Sequence, residues 1–182
     1  MNVELLKGLG KVKQYKYGEF VCVEGEMGNT AYLLLEGKVE VRLGSFKDEP
    51  KTVAVLVPGA VFGEMSLLEN KPRNASVVTA TNTLLVLEIE KSNFLQILKS
   101  DKEIAYNLLK TLLGRMEKEM DEIYRVKLAY VAEIRRNPLF QQIKDLSCEQ
   151  FAAIIDQDSE HALRLLKFVS HTLAEINQKN IN

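Results

Sequence analysis

The chain has no tryptophan, four prolines and two cysteines in 182 residues. Cys22 and Cys148 are far apart in sequence, so they define neither a disulfide framework nor a metal-ligand cluster, which fits a reducing cytoplasm. The two histidines, His161 and His171, have no neighbouring cysteine and no HExxH spacing, and they read as ordinary helix residues. No run of roughly 18 apolar residues occurs, so no membrane-spanning helix is expected. The opening "MNVELLKGLGKVKQY" lacks the apolar segment of a secretory signal. Charge of one sign is lacking too. A net charge of −1 gives no global basic field to recruit nucleic acid or anionic lipid. There is no Walker loop, no Ser–His–acid arrangement and no metal cluster, so no catalytic residues and no enzyme are expected.

What is present is the balance of a soluble globular protein, 46% hydrophobic and 27% charged, long enough to bury an ordinary core. Two grammars divide it. From about Val12 to Glu90 the chain reads as strands and turns. "EFVCVEG" and "AYLLLEGKVEVRL" alternate with period two, and "KTVAVLV" and "NTLLVLEIE" add further β-rich runs. "KYGE", "EGEMGNT", "SFKDEPK" and "VPGA" punctuate them, with Gly25 and Gly28 read as positive-φ positions. Short antiparallel strands with regular turns predict a small barrel or jelly roll.

From Ser92 the pattern becomes helical: a short helix, then a long one from about Asp101 to Arg136, stopped by Pro138. Leu109, Leu113, Met116, Met120, Ile123, Lys127, Tyr130 and Ile134 follow a heptad spacing, blemished at Lys127. That seam predicts either docking on the barrel or a homodimer through residues 109–134. After Pro138 come two or three shorter helices, with a capping box at Ser147 and Gln150 and a second start near Asp158. The expected domains are 1–136, ending with the long helix, and a small all-helical segment 137–182.

One stretch carries chemistry. In "VPGAVFGEMSLLENKPRNASV", Gly63 permits close backbone approach, and a short helix after it would aim free N–H groups at one spot. Such a spot suits a phosphate. Arg73 could complete the cradle with a bidentate contact. Glu64 cannot face the same anion and would serve better as acceptor for a sugar hydroxyl. The competing reading is an exposed Glu and Arg flanking a loop, worth a fraction of a kcal/mol as a pair.

The blocks "VEGEMGNTAYLLLEGKVEV", "LVPGAVFGEMSLLENKPRNASV" and "LLVLEIEKSNF" resemble, in order and spacing, the cyclic-nucleotide-binding domain family of catabolite-activator proteins and protein kinase A regulatory subunits. The resemblance covers roughly residues 8 to 130. It implies an eight-stranded jelly roll flanked by helices, followed here by a long helix and a small helical segment. It also implies roles. Glu64 matches the acid that bonds the ribose 2′-hydroxyl, and Arg73 matches the arginine that neutralises the cyclic phosphate. Gly63 and Ser66 match positions whose backbone lies against ribose and phosphate, and Asn74 and Ala75 match the donors after the arginine. Val61 and Phe62 are expected to wall the base pocket, with Met65 inside the cassette. Glu119 and Met120 fall near the depth of a base cap. Thr follows the arginine in many cyclic-GMP-selective members; Asn74 stands there instead, which favours cAMP over cGMP as ligand. No metal or other cofactor is implied.

The expected function is a cytoplasmic cAMP sensor that acts on a protein partner, through the long helix or through 138–182. The alternative is a catabolite-activator-type transcription regulator with a helix-turn-helix at 146–169. Against DNA stand Asp156 in the turn, Asp158 and Glu160 at the start of the second helix, and no strands for a wing. Segment 138–182 also carries four basic residues against six acidic ones, the wrong sign for a DNA reader.

Overall fold

The computed structural model describes residues 8, 10–46, 50–123 and 127–181. Its contacts divide the chain into two compact units, Met1–Leu95 and Gln96–Asn182.

The first unit is the expected barrel of eight strands: β1 (Lys11–Lys16), β2 (Phe20–Cys22), β3 (Thr30–Glu36), β4 (Val39–Leu43), β5 (Lys51–Leu56), β6 (Val61–Phe62), β7 (Ser76–Thr79) and β8 (Thr83–Glu90). They form two antiparallel four-stranded sheets, ordered β1-β8-β3-β6 and β2-β7-β4-β5. The run "AYLLLEGKVEVRL" is two strands joined at Gly37, and their apolar alternation faces inward. Val21, Cys22, Tyr32, Leu34, Val39, Phe62, Val77, Leu84 and Val86 make one core cluster between the sheets. A fully buried aliphatic or aromatic side chain contributes about 1.5–3 kcal/mol, so this cluster is the main source of the barrel's stability. β1 carries little apolar signal. It is a strand because it pairs with β8 from Lys11↔Glu88 to Lys16↔Thr83. The lysines along this edge strand also discourage pairing with another chain.

Between β6 and β7 sits the short helix α1 (Glu64–Glu69). After β8 come α2 (Lys91–Ser100), α3 (Lys102–Ile123), α4 (Leu128–Arg136), α5 (Pro138–Lys144), α6 (Cys148–Gln157) and α7 (Ser159–Ile181). The break between the two units falls inside α2, well before the edge expected near residue 136, because α3 packs with α6 and α7 rather than standing apart from them.

The uninterrupted helix from Asp101 to Arg136 is not found. Lys127 is non-helical (φ −127, ψ 45) and precedes α4 as its cap. Arg135 Nη2 lies 2.9 Å from Asp121 Oδ1, although fourteen residues of straight helix would separate them by about 21 Å. α4 therefore turns back beside α3. The apolar seam is covered within the chain: Leu109, Leu113, Met116 and Met120 are 0–2% exposed, on the helix that packs against α6 and α7. A heptad stripe specifies a face to be buried, whether by the same chain or by a second one, and here helices of the same chain bury the part from 109 to 123.

The smaller signals hold. The capping box forms in both directions between Ser147 and Gln150. Asp158 Oδ1 accepts the N–H groups of Glu160 and His161, at 3.0 and 3.1 Å, and starts α7. Asn137 caps α5, and Pro138 occupies its first turn.

Candidate functional site

The connection from β6 to β7 is built around a turn and a ladder. Gly63 opens α1 in the left-handed region (φ 74) and Asn70 closes it there (φ 56). Behind the helix, Met27 and Pro72 form a β-bridge. Gly25 N donates to Arg73 O at 2.9 Å, and Arg73 N donates to Glu26 O at 2.8 Å. The β2–β3 connection thus fixes the Arg73 backbone and aims its side chain inward.

Arg73 is 6% exposed. Its Nη1 donates to Gly63 O and, at 2.8 Å, to Ser66 Oγ. Its Nη2 donates to Thr30 O at 2.7 Å and Thr30 Oγ1 at 3.2 Å. The Tyr32 ring centroid lies 5.7 Å from Cζ. Among the described residues these four acceptors are neutral oxygens, so the hydrogen bonds are satisfied while the guanidinium charge gains no carboxylate through them. A buried arginine held this way is complementary to an anion, and its fork suits phosphate. Glu64, nine positions earlier, is 2% exposed. Both charges act on the thiol of Cys22: burial pushes it up to about 11, the Arg73 charge pulls it down, and the Glu64 charge pushes it up. The two residues therefore lie around one piece of core. This is no exposed surface pair.

Gly28 serves differently from the expected turn role, since it is absent from the positive-φ glycines that include Gly25 (φ 85). Its job is space: a Cβ there would come within 2.4 Å of Arg73 Cζ and 2.6 Å of Ser66 Oγ.

The structure brings Gly63, Ser66 and Arg73 together, with Glu64 buried next to Gly63 in the chain. Val61, Met65, Asn74 and Ala75 are half-buried around them in sequence. Phe62 is 3% exposed in the core cluster, stacked on Tyr32 with centroids 5.1 Å apart, so it supports the site from behind. Glu119 and Met120, expected as a base cap, belong to the second compact unit, and Met120 is 1% exposed there. Thr30 and Tyr32 were not anticipated as parts of the site. Their only sequence signal was their place in "GNTAYL", directly after the glycine that makes room for the arginine. No group of His, Cys, Asp and Glu that could hold a metal ion occurs among the described residues. No helix among them is long and apolar enough to cross a membrane.

A profile for the cyclic nucleotide-binding domain matches residues 12–101. The chain is 30% identical over 185 residues to the "Cyclic AMP receptor protein" of Thermus thermophilus, covering 96% of this chain and 82% of that one. It is also 30% identical over 95 residues to human "cGMP-dependent protein kinase 2", of which it spans 12%. Among solved structures, a "Transcriptional regulator" from Thermotoga maritima superposes with a TM-score of 0.62 at 22% identity, over 70% of this chain and 99% of that one; at that identity the likeness speaks for the fold alone. The jelly roll, the buried arginine after its short helix and the length of the match to the Thermus receptor agree: this chain belongs to the cyclic nucleotide-binding domain family.

Proposed function

We propose that the protein is a cytoplasmic cAMP sensor that regulates a partner and is not itself an enzyme. The observation that carries this is the buried Arg73, whose guanidinium hydrogen bonds all go to neutral oxygens among the described residues. In this reading Arg73 takes the cyclic phosphate and Ser66 lines it. Asn74 and Ala75 donate to the phosphate, and the Glu64 carboxylate accepts the ribose 2′-hydroxyl. Val61 and Met65 border the base. The likeness to a protein called a cyclic AMP receptor supports cAMP, as does the absence of Thr at position 74. The cGMP-dependent kinase relative makes cGMP the competitor to test. Binding favours one arrangement of the cassette over another, and the difference passes through α2, the element in which the two units meet along the chain.

Titration calorimetry with cAMP and cGMP tests the reading. The wild type should bind cAMP more tightly, and Arg73→Ala should lose at least about a hundredfold in affinity, as expected when a buried charge partner is removed. No binding of either nucleotide by the wild type at micromolar concentrations sinks the sensor.

The transcription-regulator reading has one observation in its favour: α6 and α7 are two helices joined by a tight turn at Asp158. Against it, the exposed face of α7 is a stripe of mixed charge, Glu160, Arg164, Lys167, His171 and Glu175, where a recognition helix facing phosphates is expected to be basic. Asp156 and Glu160 are also engaged, with Lys102 and Lys99. Retention on random DNA that falls steeply with salt would favour the regulator.

A further inference from the structure

Beyond the cassette, sheet β1-β8-β3-β6 carries a charge pair on its core-facing side. Lys13 is opposite Val86, and Tyr32 is opposite Glu88. Directly paired residues, and residues two apart on a strand, share a face. Lys13, Glu88 and Tyr32 therefore all share the face of the core residue Val86. Lys13 Nζ lies 2.8 Å from Glu88 Oε2 and donates to Oε1 at 3.0 Å.

The pair is connected to the cassette arginine. Arg73 Nη2 donates to Thr30 Oγ1 at 3.2 Å. Thr30 Oγ1 donates to Tyr32 OH at 3.0 Å, and Tyr32 OH donates to Glu88 Oε1 at 3.5 Å. The direction of this chain is fixed by its ends, because a guanidinium only donates and a carboxylate only accepts. Burial raises the Tyr32 phenol, the Thr30 bond and the Arg73 charge lower it, and the Glu88 charge raises it again. The hydroxyl therefore stands between the cation of the site and the anion of the pair.

We propose that Glu88 and Lys13 set how strongly Arg73 holds an anionic ligand, acting through Thr30 and Tyr32 as positioning residues that touch no ligand themselves. The inference rests on the reading of Arg73 as the phosphate site. Glu88 holds the far end of the relay and its charge competes with an anion for Arg73; Lys13 cancels that charge. Removing Lys13 leaves a carboxylate that opposes the ligand. Neutralising Glu88 leaves an ammonium that favours it.

The test is calorimetry with cAMP and cGMP on the wild type, Lys13→Gln, Glu88→Gln and the double variant, at low and high salt. Lys13→Gln should weaken binding about threefold and Glu88→Gln should tighten it by a similar factor, with the double variant near the wild type and the differences shrinking in high salt. Lys13 is a half-exposed edge-strand side chain, 47% exposed, so its variant folds even if Glu88→Gln does not. Tyr32→Phe keeps the ring beside Arg73 and Phe62 and should narrow the spread between the two charge variants; an unchanged spread overturns the route through the hydroxyls. Weakening by both charge variants, or shifts indifferent to salt, shows a structural pair and overturns the proposal. A wild type that binds neither nucleotide, or an Arg73→Ala variant that binds normally, overturns the phosphate reading beneath it instead.

Discussion

The barrel unit and the helical unit place different demands on a sequence. In the barrel, most strands commit at least one face to the core, and the turns between strands need particular residues. Pattern and position therefore point to one arrangement. In the helical unit, an apolar stripe along α3 states only that a face must be covered. Helices of the same chain and a helix of a second chain satisfy that demand equally well. The structure resolves it inside the chain, with Met116 and Leu112 fully buried on the face toward α6 and α7.

The largest effect that separates the two possibilities is Met116→Glu. At a position 0% exposed, an unpaired carboxylate should destabilise the helical unit by about 4 kcal/mol or more. Chemical denaturation followed by far-UV circular dichroism should show an early loss of helix. If the seam instead held two chains together, the variant would become monomeric in light scattering while keeping its helicity and its midpoint. That result would reverse the contrast between the units.

The barrel was legible strand by strand where apolar alternation marked β2, β3 and β4 and β-rich runs marked β5 and β8. β1 was not, because "KVKQYK" has no apolar face and becomes a strand only through its register with β8. The cassette was legible as a stretch: Gly63 and Ser66 are joined by Arg73 Nη1, and the ligand roles given to them belong to the proposed function. Thr30 and Tyr32 were hidden, since nothing local to "NTAY" shows that a side chain forty residues away will donate to it. The break at Lys127 left a trace, a charged residue in an apolar seam, that was read as a blemish rather than as an end. A heptad tolerates one polar residue, so only tertiary packing could show that Lys127 leaves the helical region and that a new helix begins at Leu128.

Two glycines refine the contrast within the barrel, with a smaller effect. Gly28→Ala would set a Cβ 2.4 Å from the Arg73 guanidinium carbon, so it should cost about tenfold in nucleotide affinity. Gly25 has a positive φ of 85 with nothing within 4 Å of an added Cβ. Gly25→Ala should therefore cost about 1 kcal/mol of stability and leave the affinity close to that of the wild type. Calorimetry and thermal melts on both variants check the division. Equal effects on both readouts would mean that the site and the turn are not separable.

The smallest effect bears on what the helical unit is for. Asp156 pairs with Lys102 at 2.6 Å, and the two side chains are 62% and 40% exposed. Exposed pairs of this kind contribute little, so Asp156→Asn should change stability by no more than about 0.5 kcal/mol, and by less in high salt. Its value lies in the second readout. If α6 and α7 contacted DNA, deleting an acidic charge from their turn would strengthen retention on a random duplex at low salt and steepen the salt dependence. If the unit works through protein contacts, the Asp156 charge has no phosphate to repel, and retention stays at the level of the wild type. A near-silent substitution in stability thus separates the two readings of the helical unit, because its charge matters only if phosphates come near it.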